Sequence, residues 1–242
     1  MRKRIIPVLQ LDSQRRLVKT VGFGSRTYVG DPFNVARIFN EREVDELCLM
    51  DIDATARGLD PDFEFLARFA SECFMPVCYG GGISTLEHCL KLTKLGFEKL
   101  VITSRADEAG FVASIARELG SQALVTSVDY FGSGAQAQTR QGLHPSLVAR
   151  QRAGFGFGEV ILQSIDRDGA RCGYDLATIG QVASYVDVPV IALGGAATYD
   201  HLSPALEVGA SAAASGSAFT FIGRRRAVLV TYPSPAELEK LG

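Results

Sequence analysis

The sequence repeats itself once, and that repeat constrains the fold more than any single motif does. Set against itself at an offset of 113 residues, the stretch 45–105 aligns without a gap with 158–218. Glu46 meets Glu159, Leu49 meets Leu162, Ile52-Asp53 meets Ile165-Asp166 and Asp62 meets Asp175. Further along, Pro76-Val77 meets Pro189-Val190, Gly81-Gly82 meets Gly194-Gly195, His88 meets His201 and Ser104 meets Ser217. One register held across so many specialised residue types marks two copies of one supersecondary unit.

Within each copy, short continuous apolar runs alternate with stretches of helical spacing, the pattern of buried parallel strands with crossover helices. Counting through the chain gives eight strands, at 5–10, 47–51, 77–79, 100–103, 123–129, 160–163, 190–193 and 212–215. Eight parallel strands in two similar halves predict an α/β fold, a (βα)8 TIM barrel spanning 1–242 as a single domain. An open doubly wound sheet is the competitor, but it has no reason to repeat at nearly half the chain length. In the barrel, the active site belongs to the loops at the C-terminal ends of the strands.

Composition narrows the partners. With 25 Lys and Arg against 27 Asp and Glu, the net charge of −2 gives no positive field to hold a polyanion, so neither nucleic acid nor a membrane surface is an expected partner. The longest uncharged stretch near the C-terminus, 208–222, is shorter than the ~20 apolar residues a membrane span needs. The apolar run after the basic start Met1-Arg2-Lys3-Arg4 is too short for a signal-peptide core, which predicts a cytoplasmic protein. Five cysteines with no C-x-x-C pair suit reduced thiols. Cys73, Cys78, His88 and Cys89 could be imagined around zinc, but Cys78 falls in a strand-like run and the others in helical ones. No metal and no cofactor is assigned.

Two glycine cradles fall at symmetric places. Tyr79-Gly80-Gly81-Gly82 follows the third strand and Leu193-Gly194-Gly195-Ala196 the seventh, each expected to open a helix. Glycine lets backbone approach a ligand closely, and the N–H groups of a helix start attract anions. Thr103-Ser104 after the fourth strand and Gly216-Ser217 after the eighth add hydroxyls and donors beside them. Either cradle alone would read as a tight βα turn. The symmetric pair predicts two phosphate pockets facing each other across one mouth.

The fifth strand ends in Ser127-Val128-Asp129, which puts a carboxylate at the rim where acid or base chemistry would occur. The end of the first strand carries Gln10, whose amide exchanges no proton near neutral pH. Lys19, on the long loop after the first strand, is either a cation for a bound anion or an ordinary solvated lysine. Asp168-Gly169, after the sixth strand, is expected to turn back over the mouth. At the opposite face the strand starts carry Arg4, Glu46, Lys99 and Glu159. Two charges of each sign would neutralise one another as a plug of salt bridges; the functional alternative is a gate that admits a small neutral molecule to the interior.

Taken in order, Arg4-Ile5-Ile6, Val18-Lys19, Gly30-Asp31-Pro32, Asp45-Glu46-Leu47, Tyr79-Gly80-Gly81-Gly82-Ile83, Ser164-Ile165-Asp166-Arg167-Asp168-Gly169 and Gly173-Tyr174-Asp175 resemble the HisF family. HisF is the cyclase subunit of imidazole glycerol phosphate synthase, of lyase class, and the resemblance covers nearly the whole chain. It implies a barrel docked to a class I glutaminase subunit (HisH-like), whose ammonia enters through a gate at Arg4, Glu46, Lys99 and Glu159. It further implies phosphate binding at Gly82, Ser104, Gly195 and Ser217, with Asp129 as one catalytic carboxylate. In HisF the first strand ends in a catalytic aspartate, where Gln10 stands here; Asp12 is two residues on. An asparagine expected after the fourth strand is Thr103, a threonine of the sixth is Gln163, and the tail Gly223 to Pro233 does not look like HisF's last helix. These departures resemble the HisF-like acetamidino-modification branch. That branch implies an ATP-using N-acetyl sugar amidotransferase as a further partner, a phosphorylated or nucleotide-sugar substrate, and surface-polysaccharide biosynthesis (O-antigen or nonulosonic acid in lipopolysaccharide). A true histidine-biosynthesis cyclase and a non-catalytic scaffold that activates a glutaminase are the alternatives.

Overall fold

The computed structural model describes residues 3–223 and 227–240; Met1, Arg2 and the tail arginines Arg224 to Arg226 lie outside them. Eight parallel strands form the barrel: β1 (Arg4–Leu11), β2 (Leu47–Asp51), β3 (Val77–Gly80), β4 (Lys99–Ile102), β5 (Leu124–Tyr130), β6 (Glu159–Ser164), β7 (Val190–Leu193) and β8 (Ala212–Ser215). Each pairs with the next, and β8 returns to β1 with Arg4 opposite Ala212 and Ile6 opposite Ala214, which closes the cylinder. The (βα)8 expectation holds, with every expected strand present and its ends shifted by a residue or so. Thr103 falls just past β4, and Ala123 belongs to a short 3₁₀ turn before β5.

Side chains alternate across each strand and so supply two cores. Ile6, Val8, Cys48, Cys78, Val101, Val125, Ile161, Ile191, Ala212 and Ala214 fill the cylinder. Their strand neighbours Leu47, Leu49, Leu100, Leu124, Val160 and Leu162 point outward against the helices, where Phe39, Phe69, Leu92, Ile115 and Val182 are buried. Each fully buried Val, Leu, Ile or Phe side chain among them contributes roughly 1.5 to 3 kcal/mol by leaving water.

The helices are α1 (Pro32–Glu41), α2 (Phe63–Ser71), α3 (Leu86–Lys94), α4 (Ala109–Leu119), α5 (Pro145–Phe155), α6 (Leu176–Tyr185), α7 (Leu202–Glu207) and α8 (Pro235–Lys240). The repeat extends to hydrogen bonds. Asp62 accepts from Phe65 N at 3.1 Å to cap α2, and its mate Asp175 accepts from Thr178 N at 3.3 Å to cap α6. His88 Nδ1 accepts from Ser84 N, and His201 Nδ1 accepts from Ala197 N. Both histidines therefore tie a βα loop to its helix. No helix among the described residues is long and apolar enough to cross a membrane.

Two parts depart from the simple repeat. The long loop after β1 is a hairpin, its arms Leu17–Thr20 and Arg26–Gly30 antiparallel to each other and the first also paired with β1. In the second half, the helix corresponding to α3 is reduced to a 3₁₀ turn at Tyr199–His201 followed by six residues of α7. Pro204, with no N–H to donate, sits in that first turn. The tail crosses the floor side, where the buried Tyr232 packs on Phe219 and donates to Ile5 O at 3.0 Å, before α8.

Candidate active site

At the C-terminal ends of the strands lies a cavity of about 290 Å³. Of the residues the sequence singled out, Gln10, Lys19, Gly81, Thr103, Asp129, Asp168, Gly169, Gly194, Gly195, Gly216 and Ser217 line it. Gly82 and Ser104 do not: the backbone N–H of Gly82 donates to Thr55 Oγ1 at 3.2 Å, and Ser104 is exposed outside the wall. The glycines have a structural reason of their own. A Cβ at Gly81 (φ +128°) would stand 2.5 Å from Asp51 O, and one at Gly194 (φ +99°) 2.6 Å from Ser164 O. Backbone packed this closely on the end of the preceding strand excludes any side chain.

Folding the first loop into a hairpin carries Lys19 into the mouth. Its ammonium donates to Val8 O and lies where a side chain on Gly216 would have to go, and Lys19 is only 7% exposed. Burial pushes the Lys19 amine down to about 8, with Asp168 pulling the other way. It is therefore not a solvated loop lysine. Gln10, on the neighbouring strand, accepts from Thr20 N at 3.3 Å, and Thr20 Oγ1 donates to Asp168 Oδ2 at 2.8 Å. Asp168-Gly169 does fold back over the mouth, since Asp168 O accepts from Gly22 N at 2.9 Å and Gly169 (φ +65°) packs against the Thr20 carbonyl.

Asp129 faces this group from β5. Burial raises its pKa, against the hydroxyl of Ser127, which donates to Oδ1 at 2.7 Å, and against the charges of Arg152 and Arg140. Asp12 does not reach inward: its carboxylate accepts from Arg16 Nη2 at 2.7 Å and from the backbone N–H groups of Gln14 and Arg16. Its pKa is lowered, because those bonds outweigh the effect of burial. Asp12 thus does not take the place of an acid at Gln10.

The structure adds cavity residues that the sequence reading passed over, among them Asp51, Thr20, Ser127 and Arg26. Asp51 ends β2, and its pKa is raised by burial even though Asp53 N and Ala54 N donate to it. The signal was present, because any carboxylate closing a barrel strand points to the mouth. Arg26 is tied to Asp53 by two bonds of 2.7 and 2.6 Å, which hold the Asp53 pKa down to about 2.

At the other end of the cylinder the four floor charges form a closed ring. Arg4 pairs with both Glu46 and Glu159; Lys99 Nζ lies 2.9 Å from Glu46 Oε2 and 2.8 Å from Glu159 Oε2. Burial disfavours the Lys99 ammonium, but the two glutamates outweigh it and raise its pKa. The glutamates are 4% exposed, so each carboxylate depends on both cations for compensation. Directly above, Cys48 and Cys78 are paired across β2 and β3 inside the barrel. The hydrogen bond to Cys48, together with burial, holds the Cys78 thiol well above its ordinary pKa, so it stays neutral.

A closed barrel with an ionic floor and a glycine-lined mouth can be set beside known proteins. The model of a family described as histidine biosynthesis protein matches residues 4–224. A Pseudomonas aeruginosa protein named "Putative imidazole glycerol phosphate synthase subunit hisF2" is 46% identical over 98% of both chains. An Exiguobacterium sibiricum "Imidazole glycerol phosphate synthase subunit HisF" is 37% identical over 90% of both. The chain belongs to the HisF family. A third HisF relative, named as subunit HisF of the same synthase in Streptomyces coelicolor, is 36% identical over 90% of both chains. In this HisF-family chain, residues 4–224 take in the floor ring and the whole mouth, and stop before Tyr232 and α8.

Proposed function

We propose that this chain is the synthase subunit of a glutamine amidotransferase. A class I glutaminase docks on the floor, its ammonia enters at the ring of Arg4, Glu46, Lys99 and Glu159, crosses the barrel past Cys48 and Cys78, and reacts at the mouth. The observation that carries this reading is the pairing of that closed ion ring with an interior of small or neutral side chains, Ala212, Ala214 and two thiols, leading to a ligand-sized cavity. An interior lined by apolar and uncharged side chains imposes a desolvation cost on an ion that neutral NH₃ escapes.

The chemistry we propose at the mouth belongs to acetamidino-sugar formation for surface polysaccharide. An ATP-using N-acetyl sugar amidotransferase transfers a phosphoryl or adenylyl group from ATP to the acetamido carbonyl oxygen; the nitrogen of ammonia attacks that carbon, and the C–O bond breaks with the oxygen leaving as phosphate or AMP. The residue supporting this branch is Gln10. A general acid or base contributes about 10²- to 10⁴-fold to a rate, and neither Gln10 nor the Arg16-bound Asp12 supplies one at the end of β1. Delivery of a nucleophile makes a smaller demand on the mouth than cyclisation with two proton transfers.

The second reading, a cyclase of histidine biosynthesis, rests on Asp129, which keeps its buried place and raised pKa, and on the names of the relatives above. One complementation experiment separates the two. Expressed in a histidine auxotroph that lacks its own HisF, together with its glutaminase, the chain is expected not to restore growth. Growth at the rate given by an authentic HisF would overturn the acetamidino reading. Formation of the amidine when chain, glutaminase and sugar amidotransferase are combined with glutamine and ATP would establish it.

A further inference from the structure

The first strand of each half-barrel overhangs one of its neighbours. β5 pairs with β4 only as far as Thr126, opposite Ile102, while its pairing with β6 runs on to Tyr130, opposite Ser164. In the same way β1 pairs with β8 only as far as Pro7, opposite Ser215, while its pairing with β2 runs on to Leu11, opposite Asp51. Each overhang leaves buried peptide groups without a ladder partner along one edge, which disfavours the fold unless something else bonds them. The overhangs carry the rim residues Gln10 and Asp129 at matching places.

A buried cation bonds the first carbonyl of each overhang. In the first half Lys19 donates to Val8 O from the mouth. In the second, Arg152 reaches in from α5, outside the cylinder. Its Nη1 donates to Ser127 O at 2.7 Å and to Thr126 Oγ1 at 3.1 Å. Nε and Nη2 donate to the two oxygens of Asp107 at 2.8 and 3.1 Å, a bidentate pair that fixes the plane of the guanidinium. Asp107 lies on the loop after β4, so Arg152 stands where β4 stops and ties that loop to β5. The Arg152 side chain is 8% exposed and that of Asp107 54%. A pair open to water on one side contributes little by itself; what the depth of Arg152 achieves is its bond to the strand.

The chain of contacts continues inward. Ser127 lines the cavity and its hydroxyl donates to Asp129 Oδ1 at 2.7 Å. We infer that Arg152 is a positioning residue for Asp129: by clamping the Ser127 carbonyl from behind β5, it fixes the unladdered strand end from which the Ser127 hydroxyl and the Asp129 carboxylate face the cavity. Arg152 does not line the cavity, so it acts through Ser127 and through its charge. Burial pushes the Asp129 carboxyl up, and the Ser127 hydroxyl and the Arg152 charge are the first two influences that oppose this; Arg140 adds to them and Asp168 works against them. Lys19, Arg26 and Asp51 are the other charged residues lining the same cavity. The bearing of Arg152 on a reaction rests on the reading of the mouth as the place where ammonia reacts. Its effect on Asp129 does not, and the test involves no turnover.

The full-length chain, labelled with carboxyl-¹³C aspartate, is titrated by NMR, the Asp129 signal being identified by its loss in Asp129→Asn. Arg152→Met removes the cation and loosens the Ser127 bond, so the Asp129 midpoint should rise by about one pH unit. Hydrogen exchange at the amides of 128–130 should quicken at least tenfold, with those of β7 changing less than twofold. Arg152→Lys keeps the charge but not the fork, and should give the faster local exchange with less than half of the titration change. An Asp129 midpoint unmoved in Arg152→Met, or exchange that quickens equally in β5 and β7, would reduce Arg152 to a structural residue and overturn the inference. Should Arg152→Met not fold, Arg152→Lys and Asp107→Asn carry the test: exchange at 128–130 should quicken at least threefold in both, and parent-like exchange in both would overturn it. Failure of the glutaminase-coupled assay with these shifts intact would count against the amidotransferase reading alone.

Discussion

Lys19 is held at a cost that a pH series can measure. Its amine titrates at about 8 in the folded chain and ordinarily at 10.5. Between those values the unfolded chain binds more protons, so stability rises with pH across that window. Below about 8 the whole penalty is present, and 2.5 units at 1.36 kcal/mol each gives about 3 kcal/mol. Lys19→Met removes this penalty and also the hydrogen bond to Val8 O, which is worth about 1 kcal/mol. At pH 7 the variant should therefore gain about 2 kcal/mol, roughly 4 to 8 °C in Tm for a chain of this size. Above pH 10.5 the amine is neutral in both states, and only the lost bond remains, so the sign of the difference should reverse. Urea unfolding at pH 7, 9 and 10.8 measures this directly. A variant less stable than the parent at pH 7, with a difference independent of pH, would refute the assignment of a buried amine whose pKa is lowered.

Two further outcomes follow from the same electrostatics. Lys99→Met leaves Glu46 and Glu159 sharing one cation, and should cost about 2 to 4 kcal/mol, somewhat under the loss for a fully buried pair, because Lys99 is partly exposed. Adding Glu159→Gln should recover at least 1 kcal/mol of it in chemical denaturation, since the ring is again neutral; strict additivity of the two losses would contradict the ring. Asp129 has a raised pKa, so its ionised form disfavours the fold above that pKa. Asp129→Asn should raise Tm at pH 7, with the gain shrinking as the pH falls toward the ordinary carboxylate range; a constant gain would place Asp129 in a solvated setting.

Much of the architecture was legible because the repeat offset aligns structural devices rather than bulk hydrophobicity. Asp62 and Asp175 cap equivalent helices, and His88 and His201 accept from equivalent amides. The floor was legible for a similar reason, as strand starts carry few charges unless these are paired. The hairpin after β1 was not, because Leu17–Thr20 and Arg26–Gly30 find their pairing partners in each other and in β1 rather than in any local periodicity. That same hairpin decides the burial of Lys19, which a loop reading left between a solvated and a functional residue. Asp51 was passed over although a carboxylate closing β2 belongs at the mouth, and Gly82 was assigned to the cavity by symmetry although Thr55 takes its N–H. Symmetry in sequence therefore located both cradles without revealing which of their residues face the cavity.

The proposed function requires a passage from floor to mouth, and a plug inside the barrel tests it most directly. Ala214, 2% exposed, is one of the smallest side chains of the interior. Ala214→Met should narrow the passage at a stability cost of about 1 to 3 kcal/mol. With the glutaminase and the acceptor enzyme present, amidine formation is measured with glutamine and, separately, with ammonium salt at high pH. Glutamine-supported turnover should fall at least tenfold while ammonium-supported turnover stays within twofold. Equal losses from both nitrogen sources, or no loss from glutamine in a folded variant, would contradict transit through the barrel.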